Sequence, residues 1–248
     1  MSFAHQTVVV IGATGVVGGG VVRKYLDAGA TVVGVSRSAA NLQKLKQQMS
    51  IGDSEPFHGV VADFKDEPAA DKAKEAILAA VAGGTLHHVV SAQGFVEFAK
   101  PPTHSCLDTL KGALDDGLYN NFLAAKALLP ELKSREGASF TLVSGGLAHH
   151  PPPNPALWLG TIKNAALNAL TYALAAETTN NKVRVNTVCI HFGVAPVGGS
   201  QNQFGMPAEG DTLRLAPAFL GVAQGTQKGQ VICLSSWAEA ERLGAVCS

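Results

Sequence analysis

The feature that most constrains the fold of this chain is a regular alternation of short apolar runs with longer segments of helical spacing. The runs are rich in β-branched residues, as buried parallel strands are. They span Thr7 to Ile11, Thr31 to Ser36, Phe57 to Val61, His87 to Ser91, Phe140 to Ser144, Val183 to Ile190 and Val231 to Leu234. The intervening helices are predicted over Val16 to Ala28, Ala39 to Met49, Asp66 to Val81, Leu107 to Leu132 and Leu157 to Thr179. The alternation predicts an α/β chain with a doubly wound parallel sheet of about seven strands, in one domain over residues 1–248.

Packing faces can also be predicted from helical spacing. The last predicted helix carries a stripe of residues at intervals of four, which we expect to face the sheet: Trp158, Ile162, Ala166, Leu170 and Leu174. Trp158 is also placed to line an apolar pocket. Tyr119 and Tyr172 are expected to be packing residues, because their spacing does not direct them to any predicted site.

Composition and charge exclude several classes of partner. Lys plus Arg equal Asp plus Glu at 19 each. The chain therefore has no excess of positive charge that would attract nucleic acid or an anionic membrane. No apolar run approaches the roughly 20 residues of a membrane-spanning helix, and the first residues lack a basic targeting segment. We therefore expect a soluble, cytoplasmic protein whose partner is a small molecule.

The cysteines do not indicate a metal site. They stand at Cys106, Cys189, Cys233 and Cys247, without the paired spacing typical of structural zinc. No metal is expected from the sequence, and a reducing compartment is the simplest interpretation.

A glycine-rich turn follows the first predicted strand and opens the first predicted helix. Gly12, Gly15 and Gly18 stand where a dinucleotide-binding turn needs a sharp bend, a close approach to a diphosphate and tight helix packing. Backbone N–H groups at the helix start would hold the phosphates. The expected cofactor contacts in this turn are Gly12, Thr14, Gly15, Val16, Val17 and Gly18.

The end of the second predicted strand favours NADP(H) over NAD(H). A site selective for NAD would have a carboxylate there for the ribose 2′-hydroxyl, whereas this chain has Ser36, Arg37 and Ser38. A guanidinium flanked by hydroxyls suits a 2′-phosphate. The alternative is that Arg37 is an ordinary solvated arginine at a helix start.

With these motifs the chain resembles the short-chain dehydrogenase/reductase family over nearly its whole length, which implies a Rossmann-like fold. The resemblance places Asp63, followed by Phe64, at the family's adenine-contacting aspartate, although a helix-capping role fits Asp63 equally well. Ser91, Ala92 and Gln93 precede Gly94 where the family usually has Asn-Asn-Ala-Gly. After the sixth strand, the family resemblance places Ile190, Gly193 and Val194 beside the nicotinamide. It also implies a homodimer or homotetramer.

The chain departs from the family at the catalytic positions. Lys163 matches the lysine of the family's Tyr-x-x-x-Lys motif, where it would hold the nicotinamide ribose, but Leu159 stands at the tyrosine. The serine position falls on Gly145 or Gly146, just after Ser144. The asparagine position falls near Gly117, with Asn120 and Asn121 close by. The alternative for Lys163 is a solvated helix lysine.

Three histidines could replace the missing phenol, because imidazole suits proton transfer near neutral pH. His191 is the first candidate, since it follows the sixth strand beside the expected nicotinamide. His149 and His150 open a proline-rich loop and are expected to form a solvated turn. The candidate catalytic residues are therefore Lys163, Ser144 and His191. The irregular stretches His149 to Pro155 and Gly198 to Asp211 are expected to frame the substrate site, the second as a mobile lid.

Three functions remain compatible with the sequence. The first is an NADPH-dependent reductase acting on an apolar carbonyl, enone or imine with another proton donor. The second is a non-redox isomerase, cyclase or lyase built on the same fold. The third is a non-catalytic NADP-binding sensor. Fold alone does not decide among them.

Overall fold

The computed structural model describes residues 2–81, 85–95, 97–132, 136–179, 182–202 and 204–245; Cys247 lies outside these residues. Its strands are β1 (Thr7–Ile11), β2 (Thr31–Ser36), β3 (Phe57–Val61), β4 (His88–Ser91), β5 (Ser139–Gly145), β6 (Arg184–Ile190) and β7 (Gln230–Leu234). They form one sheet in the order β3-β2-β1-β4-β5-β6-β7. Every neighbouring pair is parallel. The predicted Rossmann-like parallel sheet is therefore confirmed.

The order of the strands reverses between β1 and β4. From β1 the chain moves outward to β2 and β3, and it then returns to the other side of β1 for β4 to β7. Ile11 at the end of β1 pairs with Val35 on one side and with Ser91 on the other. Open parallel sheets bind ligands in the crevice at such a switch point, outside the carboxyl ends of the strands.

Helices cover both faces of the sheet. They are α1 (Val16–Asp27), α2 (Ala39–Gln48), α3 (Glu67–Ala80), α4 (Leu107–Leu114), α5 (Asn120–Leu132), α6 (Trp158–Glu177), α7 (Thr212–Leu215), α8 (Pro217–Gln224) and α9 (Trp237–Ala245). Buried residues of α3, α5 and α6 form one apolar cluster with the sheet, and those of α1, α2, α8 and α9 form a second on the opposite face. Two covered faces explain why most strands are apolar throughout.

The structure corrects the helix predictions in two places. The single helix predicted over Leu107 to Leu132 is interrupted by a π-helical turn at Asp115–Tyr119, a feature often found at functional sites. Three helices, α7 to α9, were not predicted, because α7 has only four residues and α8 is apolar on nearly every side and so shows no clear period. None of the helices that the structure describes is long and apolar enough to cross a membrane.

The predicted stripe of α6 is only partly its buried face. Leu174 is buried and Leu170 packs against the apolar cluster, but Ile162 is 39% exposed. The other buried side chains, which include Leu159, Lys163, Leu167 and Thr171, lie off the predicted stripe. This alanine-rich helix carries two apolar stripes, and spacing does not tell which one is buried. Tyr119 and Tyr172 are also exposed, not packed, at 46% and 57%.

Candidate functional site

The glycine turn between β1 and α1 lies at the switch point and closely approaches β4. Gly12 has a φ of +75°, and a Cβ on it would lie 2.5 Å from the carbonyl oxygen of Ala92. A Cβ on Gly18 would overlap the carbonyl oxygen of Gly12. No side chain caps the start of α1 at Gly15, so the N–H groups of its first turn are available to an anion.

Beside this turn, a groove of about 170 Å³ runs along the carboxyl ends of β1, β2 and β4. The Thr14 hydroxyl lies 3.0 Å from that of Ser36 on the groove wall. Arg37 stands at the rim with 66% of its side chain exposed, and its Nη1 lies 3.7 Å from Oδ1 of Asp116. Ser38 instead caps α2, where its hydroxyl accepts a hydrogen bond from the N–H of Asn41 at 3.3 Å.

The far wall of the groove contains the predicted adenine-contacting residues. Asp63 accepts a hydrogen bond from the N–H of Phe64 at 2.8 Å. The cap of α3 is Asp66, which accepts from Ala69, so the capping alternative for Asp63 is wrong. Asp63 lines the groove together with Ala62 and Phe64.

The end of β4 forms the inner wall of the groove through a polar network. Ser91 is fully buried and donates to Oδ1 of Asn121 at 2.7 Å. The amide of Gln93 donates to the Ser91 hydroxyl at 3.2 Å and to the carbonyl of Asn120 at 3.3 Å. Ala92 and Gln93 line the groove, while Ser91 supports them from beneath.

These residues fit the adenosine half of a nicotinamide dinucleotide. A Cβ-free turn leaves room for a diphosphate, a helix start supplies uncapped N–H groups, and a largely exposed guanidinium stands at the end of β2. The first two features match the diphosphate, and the third lies where the adenosine ribose would bind.

Lys163 is buried at the π turn and is not the solvated lysine of the alternative prediction. Its side chain is 5% exposed, and Nζ donates to the carbonyl of Phe95 at 2.6 Å and pairs with Oε1 of Glu97 at 3.3 Å. A Cβ added to Gly117 would lie 2.6 Å from Cδ of Lys163. The lysine stem therefore fills the space beside Gly117, where the family resemblance places an asparagine. Sequence reasoning missed Glu97, which lies in a loop without any motif.

Replacing Gly117 with asparagine is expected to lower the free energy of unfolding by about 1–3 kcal/mol, because the new side chain must displace the stem of Lys163 from a closely packed space. Denaturant unfolding would measure the change. Gly112→Asn is the matched control, since Gly112 lies on α4 with nothing within 4 Å of its Cβ position. Equal stability of the two variants would contradict this account of Lys163.

Gly146, one of the two predicted serine positions, likewise lies against another side chain. A Cβ at Gly146 would lie 2.8 Å from Cγ of His191, so the imidazole occupies that space. Ser144 is buried and donates to Oδ1 of Asn168 at 2.7 Å. Leu159 is 1% exposed.

Three imidazoles meet at this end of the sheet. The ring of His149 stacks on that of His191 with centroids 5.4 Å apart, and His150 approaches the same ring edge-on at 5.9 Å. Burial, and then the charges of His149 and His150, lower the pKa of His191. His149 and His150 are exposed in the turn after β5, as predicted, and their rings also contact that of His191 because the loop after β5 folds back over the end of β6.

The two irregular stretches reach the same region. Ala195 forms a bridge with Asp211, and a Cβ at Gly193 would lie 2.6 Å from Nδ2 of Asn202. Phe204 makes an edge-on contact with Phe98 of the loop after β4, with ring centroids 5.6 Å apart. The segment after β6 therefore reaches over to the β4 loop that holds Lys163. Ile190 and Val194 join the apolar cluster beneath it.

Comparison with known proteins places the chain in a family. The model of the short chain dehydrogenase family matches residues 6–202. Serine 3-dehydrogenase of Agrobacterium fabrum is 27% identical over 202 residues, covering 79% of this chain and 77% of that protein.

Solved structures share the fold at lower identity. A dehydrogenase/reductase from Sinorhizobium meliloti superposes with a TM-score of 0.80 at 20% identity, covering 94% of each chain. A short chain oxidoreductase from Pseudomonas aeruginosa with an atypical catalytic centre gives a TM-score of 0.80 at 20% identity, covering 95% of this chain and 97% of the other. The extent of the family match, together with the glycine turn at the switch point of a parallel sheet, shows that this chain belongs to the short-chain dehydrogenase family of oxidoreductases, which bind nicotinamide cofactors and act on small molecules.

Proposed function

We propose that this protein is an NADP(H)-dependent reductase that forms one domain, acts on a small, largely apolar carbonyl, enone or imine, and uses a proton donor other than tyrosine. The observation that carries the choice of NADP(H) is the position of Arg37. Its guanidinium is mostly exposed at the rim of the groove, next to Ser36, and its ion pair with Asp116 is loose. A 2′-phosphate is a stronger partner for a guanidinium than a distant carboxylate.

Different residues of the chain would bind different parts of the cofactor. The N–H groups at the start of α1, contributed by Val16, Val17 and Gly18, hold the diphosphate. Asp63 accepts hydrogen bonds at the adenine end. The bound cofactor supplies the hydride, and the protein supplies position, exclusion of water and a proton.

Lys163 orders the nicotinamide end of the site. Its ammonium holds the Phe95 carbonyl and the Glu97 carboxylate, which fixes the loop after β4. We propose that the same ammonium serves the cofactor ribose, since it is a buried cation at the family's lysine position. Ile190, Gly193 and Val194 would form the opposite wall.

His191 is the proposed source of the proton. Leu159 has no ionisable group. The Ser144 hydroxyl already donates a hydrogen bond to Asn168, so the role of Ser144 is to position the Asn168 side chain. The imidazole lies in the space beside Gly146, one of the two predicted serine positions, and burial, followed by the charges of His149 and His150, lowers the pKa of His191. The Pseudomonas aeruginosa oxidoreductase of the same fold is also described as having an atypical catalytic centre. A catalytic centre that differs from the family pattern therefore has a precedent on this fold.

A non-catalytic NADP-binding sensor is the second candidate. It is favoured by the filling of the asparagine and serine positions with the side chains of Lys163 and His191, which leaves less room for a substrate. Consumption of NADPH with a panel of apolar carbonyls, enones and imines separates the two. Turnover of a substrate without consumption of NADPH would instead indicate non-redox chemistry.

The assembly of copies is also proposed here. Three large side chains of α5 and α6 are exposed: Phe122 at 45%, Ile162 at 39% and Tyr172 at 57%. This supports the homo-oligomer that the family resemblance implies.

Arg37→Ala is expected to weaken NADPH binding by about 10- to 100-fold, because a charge-assisted contact with a phosphate contributes about 1.5–3 kcal/mol. Binding of NADH should change by less than about threefold, because that cofactor has no 2′-phosphate. Calorimetric titration of both cofactors measures the difference.

Two further variants sharpen this test. Asp116→Asn removes the competing carboxylate and should leave NADPH binding unchanged or tighter. Arg242→Ala is the matched control, because Arg242 is an arginine of α9 away from the groove. Equal weakening of NADPH and NADH by Arg37→Ala would contradict the proposed preference.

A further inference from the structure

Four side chains with metal-ligating atoms converge at the carboxyl ends of β5, β6 and β7. They are His149, Cys189, His191 and Cys233, and one ligand atom from each lies within 4.8 Å of all the others. Cys189 and Cys233 face each other in register on adjacent strands. The histidines come from the turn after β5 and from the first residue after β6. We refer to these four residues as the Cys2His2 cluster.

The spacing within the cluster is close to that of a tetrahedral metal site. Sγ of Cys189 lies 3.4 Å from Nε2 of His191, and Sγ of Cys233 lies 3.7 Å from Nε2 of His149. Bonds of about 2.3 Å to sulfur and 2.0–2.1 Å to nitrogen put tetrahedral S and N ligands about 3.6 Å apart. Both Cys–His pairs are already close to that separation, and the remaining pairs, which lie within 4.8 Å, need to close by at most about 1.5 Å.

The position of the cluster allows a metal ion to enter from solvent. Cys189 is buried, His191 is half-buried, and His149 and Cys233 are exposed. On the buried side, the Asn168 amide accepts from Ser144 and lies 3.2 Å from Nε2 of His149, a contact that a metal ion bound at this nitrogen would replace. A buried ligand on one side and exposed ligands on the other would let an ion bind without rearranging the strands.

We propose that the Cys2His2 cluster binds one divalent transition metal of the zinc type. Two thiolates and two imidazoles form a soft donor set that prefers Zn²⁺ or Co²⁺ to Mg²⁺ or Ca²⁺. Spacing along the sequence indicated no metal site, because the ligands come from three different strand ends. Parallel pairing of β5, β6 and β7 is what brings them together.

Metal binding has a consequence for His191 that rests on the proposed function. Ligation through Nε2 leaves the ring proton on Nδ1, and Nδ1 lies 3.0 Å from the Cβ position of Gly146. The metal would thus fix the tautomer whose N–H faces Gly146, and this N–H could donate a hydrogen bond, whereas the proton transfer proposed for His191 belongs to the metal-free protein.

Titration of the reduced, metal-free protein with Co²⁺ tests the proposal. We expect one Co²⁺ per chain, with the intense visible bands of a tetrahedral site and a thiolate-to-cobalt charge-transfer band. Stoichiometric Zn²⁺ should then remove both signals. Binding of Co²⁺ without the thiolate band, or no binding, would overturn the proposal.

Two variants and two matched controls locate the site. Cys233→Ser and His149→Ala should lower Co²⁺ affinity by at least about 10-fold, as loss of a ligand does. Cys106→Ser changes another exposed cysteine, and His150→Ala changes the adjacent histidine, so both should retain the spectrum of the unaltered protein. A spectrum that is the same in all four variants would overturn the assignment.

Three parallel measurements distinguish loss of the metal ligands from unfolding, from loss of the cofactor site and from thiol oxidation. Circular dichroism and NADPH binding should be unchanged in Cys233→Ser, so that failure of the metal site is not confused with failure of the fold or of the proposed function. Mass spectrometry of the thiols should show both cysteines reduced in the metal-free protein. A Cys189–Cys233 disulfide that persists under reducing conditions and excludes Co²⁺ would overturn the proposal.

Discussion

Replacing Gly12 with alanine is expected to weaken NADPH binding by at least about 100-fold and to destabilise the protein by about 3 kcal/mol or more. At the φ of +75°, a side chain is strained, and its Cβ would lie 2.5 Å from the carbonyl oxygen of Ala92. That carbonyl belongs to the backbone at the end of β4, so it cannot move aside without disturbing the pairing of β1 with β4. The turn that is expected to hold the diphosphate would have to shift instead.

Calorimetric titration with NADPH and denaturant unfolding measure the two effects. Gly137→Ala is the matched control, because Gly137 has a φ of +78° with nothing within 4 Å of its Cβ position. It carries the conformational strain without the collision, so it should lose only about 1 kcal/mol of stability and bind NADPH normally. If both variants bound NADPH as the unaltered protein does, the glycine turn would not be the cofactor site.

Acid is expected to destabilise the protein through His88. The side chain is 4% exposed, and burial, followed by the charges of Arg184 and His87, lowers the pKa of His88 from 6.5 to about 3. Both ring nitrogens are engaged, Nδ1 with the Ser139 hydroxyl and Nε2 with Oε1 of Gln6, each at 2.8 Å. The folded protein therefore holds His88 neutral at a pH where the unfolded chain protonates it.

The direction of the effect follows from proton linkage. Because the folded pKa is the lower one, the stabilisation is fully present above pH 6.5 and is lost as the pH falls from 6.5 towards 3. His88 should contribute a loss of about 1.4 kcal/mol per pH unit within that window.

A pair of variants isolates the contribution of His88 from that of other groups. Denaturant unfolding between pH 7 and 5 should show a shallower pH dependence for His88→Gln than for the unaltered protein. His58→Gln removes an exposed histidine of β3 and should leave the slope unchanged. Parallel slopes for all three proteins would mean that His88 titrates normally.

Much of the fold can be predicted from local pattern. Three strands, β1, β2 and β3, begin and end at the predicted residues, and the other four differ by one residue at one or both ends. Buried parallel strands are continuous apolar runs, which makes them easy to recognise. Helix α8 shows the opposite case, because a short segment that is apolar all round carries no period to detect.

The candidate cofactor site was largely anticipated, because it is local in sequence. Gly12, Gly15 and Gly18 lie in one turn, and Arg37 follows the next strand directly. Once β1 and β2 pair in parallel, their carboxyl ends must lie at the same edge of the sheet, so the sequence was enough to place these residues together.

The candidate active site could not be anticipated in the same way. The spaces beside Gly117 and Gly146 are filled by Lys163 and His191, which are distant in sequence from both glycines. Nothing in a glycine indicates which side chain will occupy the space it leaves. The ion pair of Lys163 with Glu97 could not be predicted from the sequence either, because an acidic residue in a loop meets its partner only when the chain folds.

The amino-acid sequence by itself determined the parallel sheet, its switch point and the glycine turn, because these depend on apolar runs and on backbone freedom within short segments. Tertiary structure alone decided which face of α6 is buried, that Lys163 and His191 fill the spaces beside Gly117 and Gly146, and that two cysteines and two histidines meet at one edge of the sheet. Those arrangements depend on contacts between strands and helices far apart in the chain, and such contacts leave no periodicity in the sequence.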